Sequence, residues 1–406
     1  MELYIGELSN GIRFIHKQVN SPVAHCGVII NAGSRDERDD EHGLAHLIEH
    51  MVFKGTKRRK AYHIFSRLED VGGEMNAYTT KEETCVHAAF LTRYYGRAVE
   101  LLSDVLFNSV FDSKELVKEM DVVLDEINSY KDSPSEQIMD DFDELIFHDH
   151  PMGRNILGDE NTLKGLSRDQ ILEFIKRNYV PQNIVISSVG NISGERFKSI
   201  VSKYFDFEIE DRSPVERIEP GVYIPSKKVV SRNTYQAHCM IGARAYHIKH
   251  QDKMVMYMLN NLLGGPALNS RLNMSVREKN GLAYSVESSF QPFSDTGIFT
   301  IYLGTDKEMV DRALRVVKRE LDRFREKKLG VLQLSKAKKQ LVGYLTMSAE
   351  NHESLMLSIG KSLLFYGKVD PLSKVYDKID VITSEQIIDV ANDVFEWDKM
   401  SKLVFE

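Results

Sequence analysis

A chain of 406 residues, 42% hydrophobic and 28% charged, has the composition of an ordinary globular protein of two or three domains and excludes a disordered or low-complexity one. Its net charge of −7, with the basic residues dispersed, argues against a nucleic-acid partner. Cys26, Cys85 and Cys239 make no disulfide framework, no apolar run reaches the ~18 residues of a membrane span, and the first residues lack the basic and long apolar regions of a secretory signal. These features predict a protein of a reducing compartment, the cytoplasm, with no membrane partner.

The chain opens in extended runs. Asn10-Gly11 sits between two of them, the dipeptide that suits a tight hairpin turn. Residues 23–31 (VAHCGVIIN) read as a strand, and 32–37 (AGSRDE) as a turn and loop leading to a helix at 42–54. A second helix covers 61–69 and is stopped by Gly72-Gly73. Residues 75–91 read as a hairpin around the polar stretch 79–84. Helical patterns follow at 96–107, 113–130 and 135–147, the last ahead of the turn His150-Pro151-Met152-Gly153. Ser167 opens another helix, with Asp169 and Gln170 in its first turn, and 183–190 (NIVISSVG) reads as a buried strand. Three prolines and few periodic apolar positions between Ser213 and Ser226 mark a linker.

Beyond the linker the pattern recurs. Ala24-His25-Cys26 returns as Ala237-His238-Cys239, 213 positions on, and Phe90-Leu91-Thr92 aligns with Leu303-Gly304-Thr305 at the same offset. Leu166-Ser167-Arg168-Asp169-Gln170-Ile171 is matched by Ile382-Thr383-Ser384-Glu385-Gln386-Ile387, 216 positions on. Several matches in one order at nearly one offset indicate duplication. The expectation is an α+β fold of two duplicated domains of like topology, 1–212 and 229–406 around a linker at 213–228, each a mainly antiparallel sheet with helices packed on one face.

His46, Glu49 and His50 form the pattern H-x-x-E-H within the run 42–53 (HGLAHLIEHMVF). On a helix all three share a face. Two imidazoles one turn apart can clasp one Zn²⁺, with a carboxylate beside the water that the metal activates. Leu44, Ala45, Leu47, Ile48, Met51, Val52 and Phe53 make the helix apolar almost all round, so a polar triplet there is costly unless paired or metallated. The competing reading is a helix with two satisfied core histidines. The repeat decides between them. At the 213 offset His46, Glu49 and His50 fall on Leu259, Leu262 and Leu263, so that face needs only apolar residues to build the fold. A catalytic zinc takes three protein ligands. The candidates for the third are Glu119 and Glu126, two turns apart on the helical stretch 116–127, and the residues alone leave open which of them it is, or whether both belong to a solvated acidic stripe.

The stretches HGLAHLIEHMVFKGT (42–56), GGEMNAYTTKEETCVHAAF (72–90), VVLDEINSYKDSP (122–134), HPMGRNILG (150–158) and SRLNMSVREKNGLAYSVESSF (270–290) resemble the pitrilysin (insulinase-type) inverted-zincin peptidases over nearly the whole chain. The short members related to bacterial processing peptidases and the mitochondrial processing peptidase are the most similar. In that family the third ligand is a glutamate about 75 residues beyond the second histidine, which implies Glu126, 76 residues beyond His50; the earlier Glu119 would steady a ligand histidine. The resemblance implies one Zn²⁺ per chain on His46, His50 and Glu126, with Glu49 as general base. It further implies that Asn76 and Ala77, on an edge strand, pair with an extended peptide, and that Arg277 and Tyr284 hydrogen-bond the carbonyl being attacked.

Longer members of the family fuse two such halves. A chain of this length is therefore expected to form a homodimer, a clamshell whose active sites are composite, with Arg277 and Tyr284 serving the partner's metal. The function implied is a bacterial, cytoplasmic zinc endopeptidase that hydrolyses peptides or unfolded segments inside a closed chamber. The alternative is a non-catalytic or scaffold subunit of the same fold in a hetero-oligomer, a kind of relative that normally lacks part of the metal set.

Overall fold

The computed structural model describes every residue except Met1, Glu2, Glu210, Asp211 and Asn233. Six strands from the first half form one sheet: β1 (Leu3–Glu7), β2 (Arg13–Gln18), β3 (Val23–Ile30), β4 (Glu74–Thr79), β5 (Thr84–Leu91) and β6 (Ile184–Gly190). Their order is β1-β2-β6-β3-β5-β4, antiparallel except where β2 meets β6. Five strands from the second half form another: β7 (Lys227–Val230), β8 (Ala237–Ala245), β9 (Ser285–Pro292), β10 (Gly297–Thr305) and β11 (Ser401–Phe405), in the order β7-β11-β8-β10-β9. Only β7 and β11 run parallel there. In each half the last strand inserts between the strand that opens the half and the next one, so the two halves share one topology and β1 is an addition to the first.

Local signals set most of these elements. Gly11 takes φ +87 in the β1–β2 turn, a backbone region open to glycine. Ser167 and Gln170 cap the helix Arg168–Asn178 reciprocally, and Thr383 and Gln386 do the same for Ser384–Val394, so the repeated sextet builds one capping box twice. The hairpin strand departs from a constant offset. Ala24 pairs with Phe90, but Ala237 pairs with Thr305, two positions past the aligned Leu303. A slip of two keeps each side chain on its face, which is why the pattern survives it.

Ala24, Cys26, Val28 and Ile30 of β3 are fully buried; helix Tyr95–Phe107 packs on β3 and β5 and helix Gly194–Phe205 on β2, with Phe14 against Phe197 and Phe90 against Tyr95. In the second sheet Ala237, Cys239 and Ile241 of β8 face helices Lys253–Gly264, Val310–Glu326 and Ser384–Val394. Each half thus covers one face of its own sheet.

The other face is covered by exchange. Helix His352–Tyr366, from the second half of the sequence, lays Met356, Ile359 and Leu363 over Ile15, Ile29, Cys85, Val185 and Val189 of the first sheet. Gly360 makes the approach close: a Cβ there would stand 2.5 Å from Ile29 and 2.7 Å from Ser187. Reciprocally, helix Pro134–Ile146 lays Ile138, Phe142 and Ile146 over Met240, Leu403 and Phe405 of the second sheet. The compact units are accordingly discontinuous. The first holds Met1–Ile127, Arg154–Arg217 and Met347–Asp370, and the second holds Asn128–Gly153, Ile218–Thr346 and Pro371–Glu406.

This corrects the contiguous boundaries 1–212 and 229–406. A sheet with apolar side chains on both faces needs two helical layers, and each half keeps only one for itself. The expected linker does carry one of the crossings between units, at Arg217–Ile218.

Met356 is fully buried against the first sheet. Met356→Ala is expected to destabilise the protein by about 2–4 kcal/mol, read as a lower midpoint in chemical denaturation. A loss below about 0.5 kcal/mol would mean that the exchanged helix does not seal this face.

Candidate metal centre

The helix Leu44–Met51 is shorter than the 42–54 expected. Gly43 takes φ +93 and bounds its start, and Gly55, at φ +150, follows shortly after its end. Leu44, Ala45, Leu47, Ile48 and Met51 are buried, so the helix is embedded on most sides, as its composition requires. It lies beside β4.

His46 and His50 stand one turn apart with ring centroids 4.7 Å from each other. Opposite them, on helix Ser113–Lys131, is Glu126. Its Oε2 lies 3.8 Å from Nε2 of His46 and 3.7 Å from Nε2 of His50. The three ligating atoms lie within 4.8 Å of one another. Tetrahedral bonds of about 2.0–2.2 Å would set such atoms roughly 3.3–3.6 Å apart, so small side-chain shifts suffice to close them on one ion. The donor set fits zinc, and among the described residues no fourth His, Cys, Asp or Glu joins the group. Burial, and secondarily the neighbouring His50, hold the His46 imidazole down to about 4. At neutral pH it keeps the lone pair that a metal ligand needs.

Glu119, two turns before Glu126, faces a different atom. Its Oε2 lies 3.3 Å from Nδ1 of His50, and its Oε1 lies 2.7 Å from Nζ of Lys54. Geometry therefore separates two acids that the helical period alone could not. Glu126 faces both Nε2 atoms, and Glu119 faces the far nitrogen of one ring. Glu49 shares the helix face with the histidines. Burial pushes its carboxyl above the usual range, while the Thr79 hydroxyl and His50 oppose that shift.

Asn76 and Ala77 lie on β4, opposite His87 and Val86 of β5. β4 is an edge strand of its sheet, and no strand pairs with its outer side among the described residues. Arg277 and Tyr284 belong to the second unit. Arg277 sits in a π-helical turn, Asn273–Glu278, with Nη1 3.5 Å from Asn273 Oδ1. The Tyr284 hydroxyl donates to Asp306 Oδ1 at 3.0 Å on an exposed surface, and this bond raises its pKa. The structure thus gathers His46, Glu49, His50, Glu119 and Glu126 in the first unit, with Asn76 and Ala77 on the strand beside the metal helix. In the second unit Leu259 and Leu263 are fully buried at the positions aligned with His46 and His50.

Two residues escaped the sequence reading. Lys54 neutralises Glu119, and its only signal was its place four residues after His50. Glu37, from the loop before the helix, accepts hydrogen bonds from backbone N–H groups of Gly43 and Ala45. Nothing periodic marks a loop acid as buried; the one available signal was the glycine at the helix start, which brings no capping side chain.

A buried H-x-x-E-H helix completed by a glutamate from a second helix defines the class, that of the inverted-zincin metal centres. Residues 13–160, which include every one of these side chains, match the family described as insulinase (peptidase family M16). Residues 165–341 match the one described as peptidase M16 inactive domain. A Bacillus subtilis (strain 168) protein named an uncharacterized zinc protease is 32% identical over 398 residues, covering 97% of this chain and 96% of that one. A Rickettsia felis protein with a similar name is 30% identical over 403 residues, covering 98% and 97%. Two solved structures share the fold. One, of a peptidase M16 inactive domain from Pseudomonas fluorescens, has a TM-score of 0.91 at 21% identity and covers 100% of this chain and 98% of that one. The other, of a protease from Helicobacter pylori, has a TM-score of 0.92 at 19% identity and covers 100% and 99%. The chain belongs to the insulinase peptidase family, M16.

Among the described residues no helix is long and apolar enough to cross a membrane, and Cys26, Cys85 and Cys239 are free and buried.

Because Glu126 and Glu119 face different atoms, their amides should differ in effect. Glu126→Gln should lose nearly all bound metal, whereas Glu119→Gln should weaken binding by about 10–100-fold and still load at high metal. Metal content by elemental analysis after dialysis at graded free zinc checks this. Equal losses would mean that the two acids do not divide the work in this way.

Proposed function

We propose that this chain is a zinc-dependent endopeptidase that cleaves peptides or unfolded segments taken up in extended form. The observation that carries this reading is the convergence of His46, His50 and Glu126 on one point, with Glu49 on the same helix face. Names of relatives such as zinc protease support it. Zinc, when bound, supplies a Lewis acid that polarises the scissile carbonyl and makes water a nucleophile near neutral pH.

The protein's own groups do the rest. The Glu49 carboxylate takes a proton from the attacking water and delivers it to the nitrogen of the leaving amine. Its half-buried setting favours proton uptake, since burial disfavours the charged form. His50 is held for its task by Glu119, which Lys54 pairs in turn. The free edge of β4 at Asn76 and Ala77 offers main-chain hydrogen bonds to an extended peptide, a mode that reads little sequence. A complete ligand set disfavours the scaffold reading, in which part of the set would be missing.

The proposal includes a homodimer with composite sites. The Arg277 guanidinium and Tyr284 hydroxyl of one protomer donate to the scissile carbonyl oxygen at its partner's metal centre, and closure assembles them with substrate. Tyr284 must then exchange its bond to Asp306 for one to substrate. Buried free thiols accord with a cytoplasmic protein.

Glu49→Gln should retain one zinc per chain and lose at least about 10²-fold in cleavage of a quenched peptide library. Near-normal turnover would place the base elsewhere. Mixing Glu49→Gln chains with Arg277→Ala/Tyr284→Ala chains should restore one good site per mixed dimer, close to half of wild-type activity. Subunit exchange proved by mass with no return of activity would refute the composite site.

A further inference from the structure

The two histidines of the metal helix are oriented by different means. His50 presents Nε2 to Glu126 while its Nδ1 faces Glu119, so a hydrogen bond on the far nitrogen sets its ring. His46 also presents Nε2 to Glu126, but its Nδ1 is buried and has no hydrogen-bond partner among the described residues. No hydrogen bond at Nδ1 orients the His46 ring, so its position relies on the packing around it and on the backbone of the helix's first turn.

That turn is held from outside. Gly43, at the N-cap, has no side chain, and none could be added: a Cβ there would lie 2.8 Å from Gly158 Cα and 2.8 Å from Leu157 O. The cap is delivered instead by Glu37. Its Oε2 accepts from Gly43 N at 3.0 Å and its Oε1 from Ala45 N at 2.8 Å. Ala45 immediately precedes His46. A further first-turn donor, Leu44 N, goes to Glu41 O at 2.8 Å. Both Glu37 oxygens accept N–H groups at a helix N-terminus, which favours the charged form, against a burial that pushes the carboxyl up to about 8.

The mount is rigid. Glu37 is 5% exposed, and its neighbours are fastened: Arg35 to Glu82 at 2.6 Å and Asp36 to Arg217 at 2.8 Å. On the other side His42 lies 3.1 Å from Asp159 and 2.8 Å from the Asn155 carbonyl.

We infer that Glu37 is a positioning residue for the metal centre, fixing His46 through the backbone as Glu119 fixes His50 through its ring. The inference rests on the zinc reading above. Its consequence is specific. A cap that served only the fold would affect metal-free and metal-loaded protein alike and would leave the zinc dissociation constant unchanged. A cap that sets a ligand changes that constant.

The test is Glu37→Gln, which keeps the volume but turns an amide NH₂ towards one of the two N–H donors. Zinc affinity is measured by competition with a chromophoric chelator, and the cobalt-substituted protein is read by its d–d absorption. Denaturation of the metal-free protein is measured in parallel. The expected result is a zinc dissociation constant raised by about 10–100-fold, with an altered cobalt spectrum, in protein that is still folded. Should Glu37→Gln fail to accumulate as folded protein, Glu37→Asp replaces it. That variant keeps the charge but is one methylene too short to reach both donors, and it is held to the same two readouts. A dissociation constant within about twofold of wild type, with an unchanged cobalt spectrum, overturns the inference whatever the stability of the metal-free protein. A wild-type chain that takes up no zinc overturns the zinc reading together with it, and is recognised before any variant is compared.

Discussion

His46, Glu49 and His50 place three ionisable groups on one face of an eight-residue helix whose other sides are packed in apolar side chains. The rest of the first unit can be read as the compensation this demands. Glu126 brings a carboxylate to both Nε2 atoms, Glu119 to the far nitrogen of His50, and Lys54 balances Glu119. Glu37 satisfies the helix start. Buried charges survive only when paired or bonded, and here each partner is delivered by a different segment. A helix too short to hold itself by propensity is thus held by tertiary contacts at both ends.

The second half shows what the same scaffold does without that demand. Leu259 and Leu263 occupy the equivalent face and are fully buried. The strand order of the two sheets is the same, apart from β1, and the capping boxes at Ser167 and Thr383 are the same. Duplication therefore preserved the fold, while the metal face is a local variation within it. Fold and site are separable properties of the chain.

The exchange of helices Pro134–Ile146 and His352–Tyr366 ties the two units to a single chain. Each sheet has two apolar faces and each half of the sequence brings helices for one. Covering the remaining face with a helix from the other half means that neither half, cut at the linker, would retain a sealed sheet. Met356 over Ile29 and Phe142 beside Gly242 are corresponding contacts in the two units, which places the exchange within the duplicated plan.

Much of this was legible in the sequence. Periodicity marked the metal helix and the strands, turn and cap residues marked their ends, and the leucines of the second half separated a functional face from a structural one. The choice between Glu119 and Glu126 was not legible from their spacing. Two turns of helix put both acids on one face, and only the way Ser113–Lys131 packs opposite the two histidines gives them different atoms. The resemblance to a known family named Glu126; the geometry supplies the physical ground. Glu37 and Lys54 were invisible because a loop acid and a lysine beside an apolar run look solvated until the chain folds back on them. The helix exchange was invisible for the same reason: an amphipathic pattern states that a face must be covered, and only the tertiary structure decides which segment covers it.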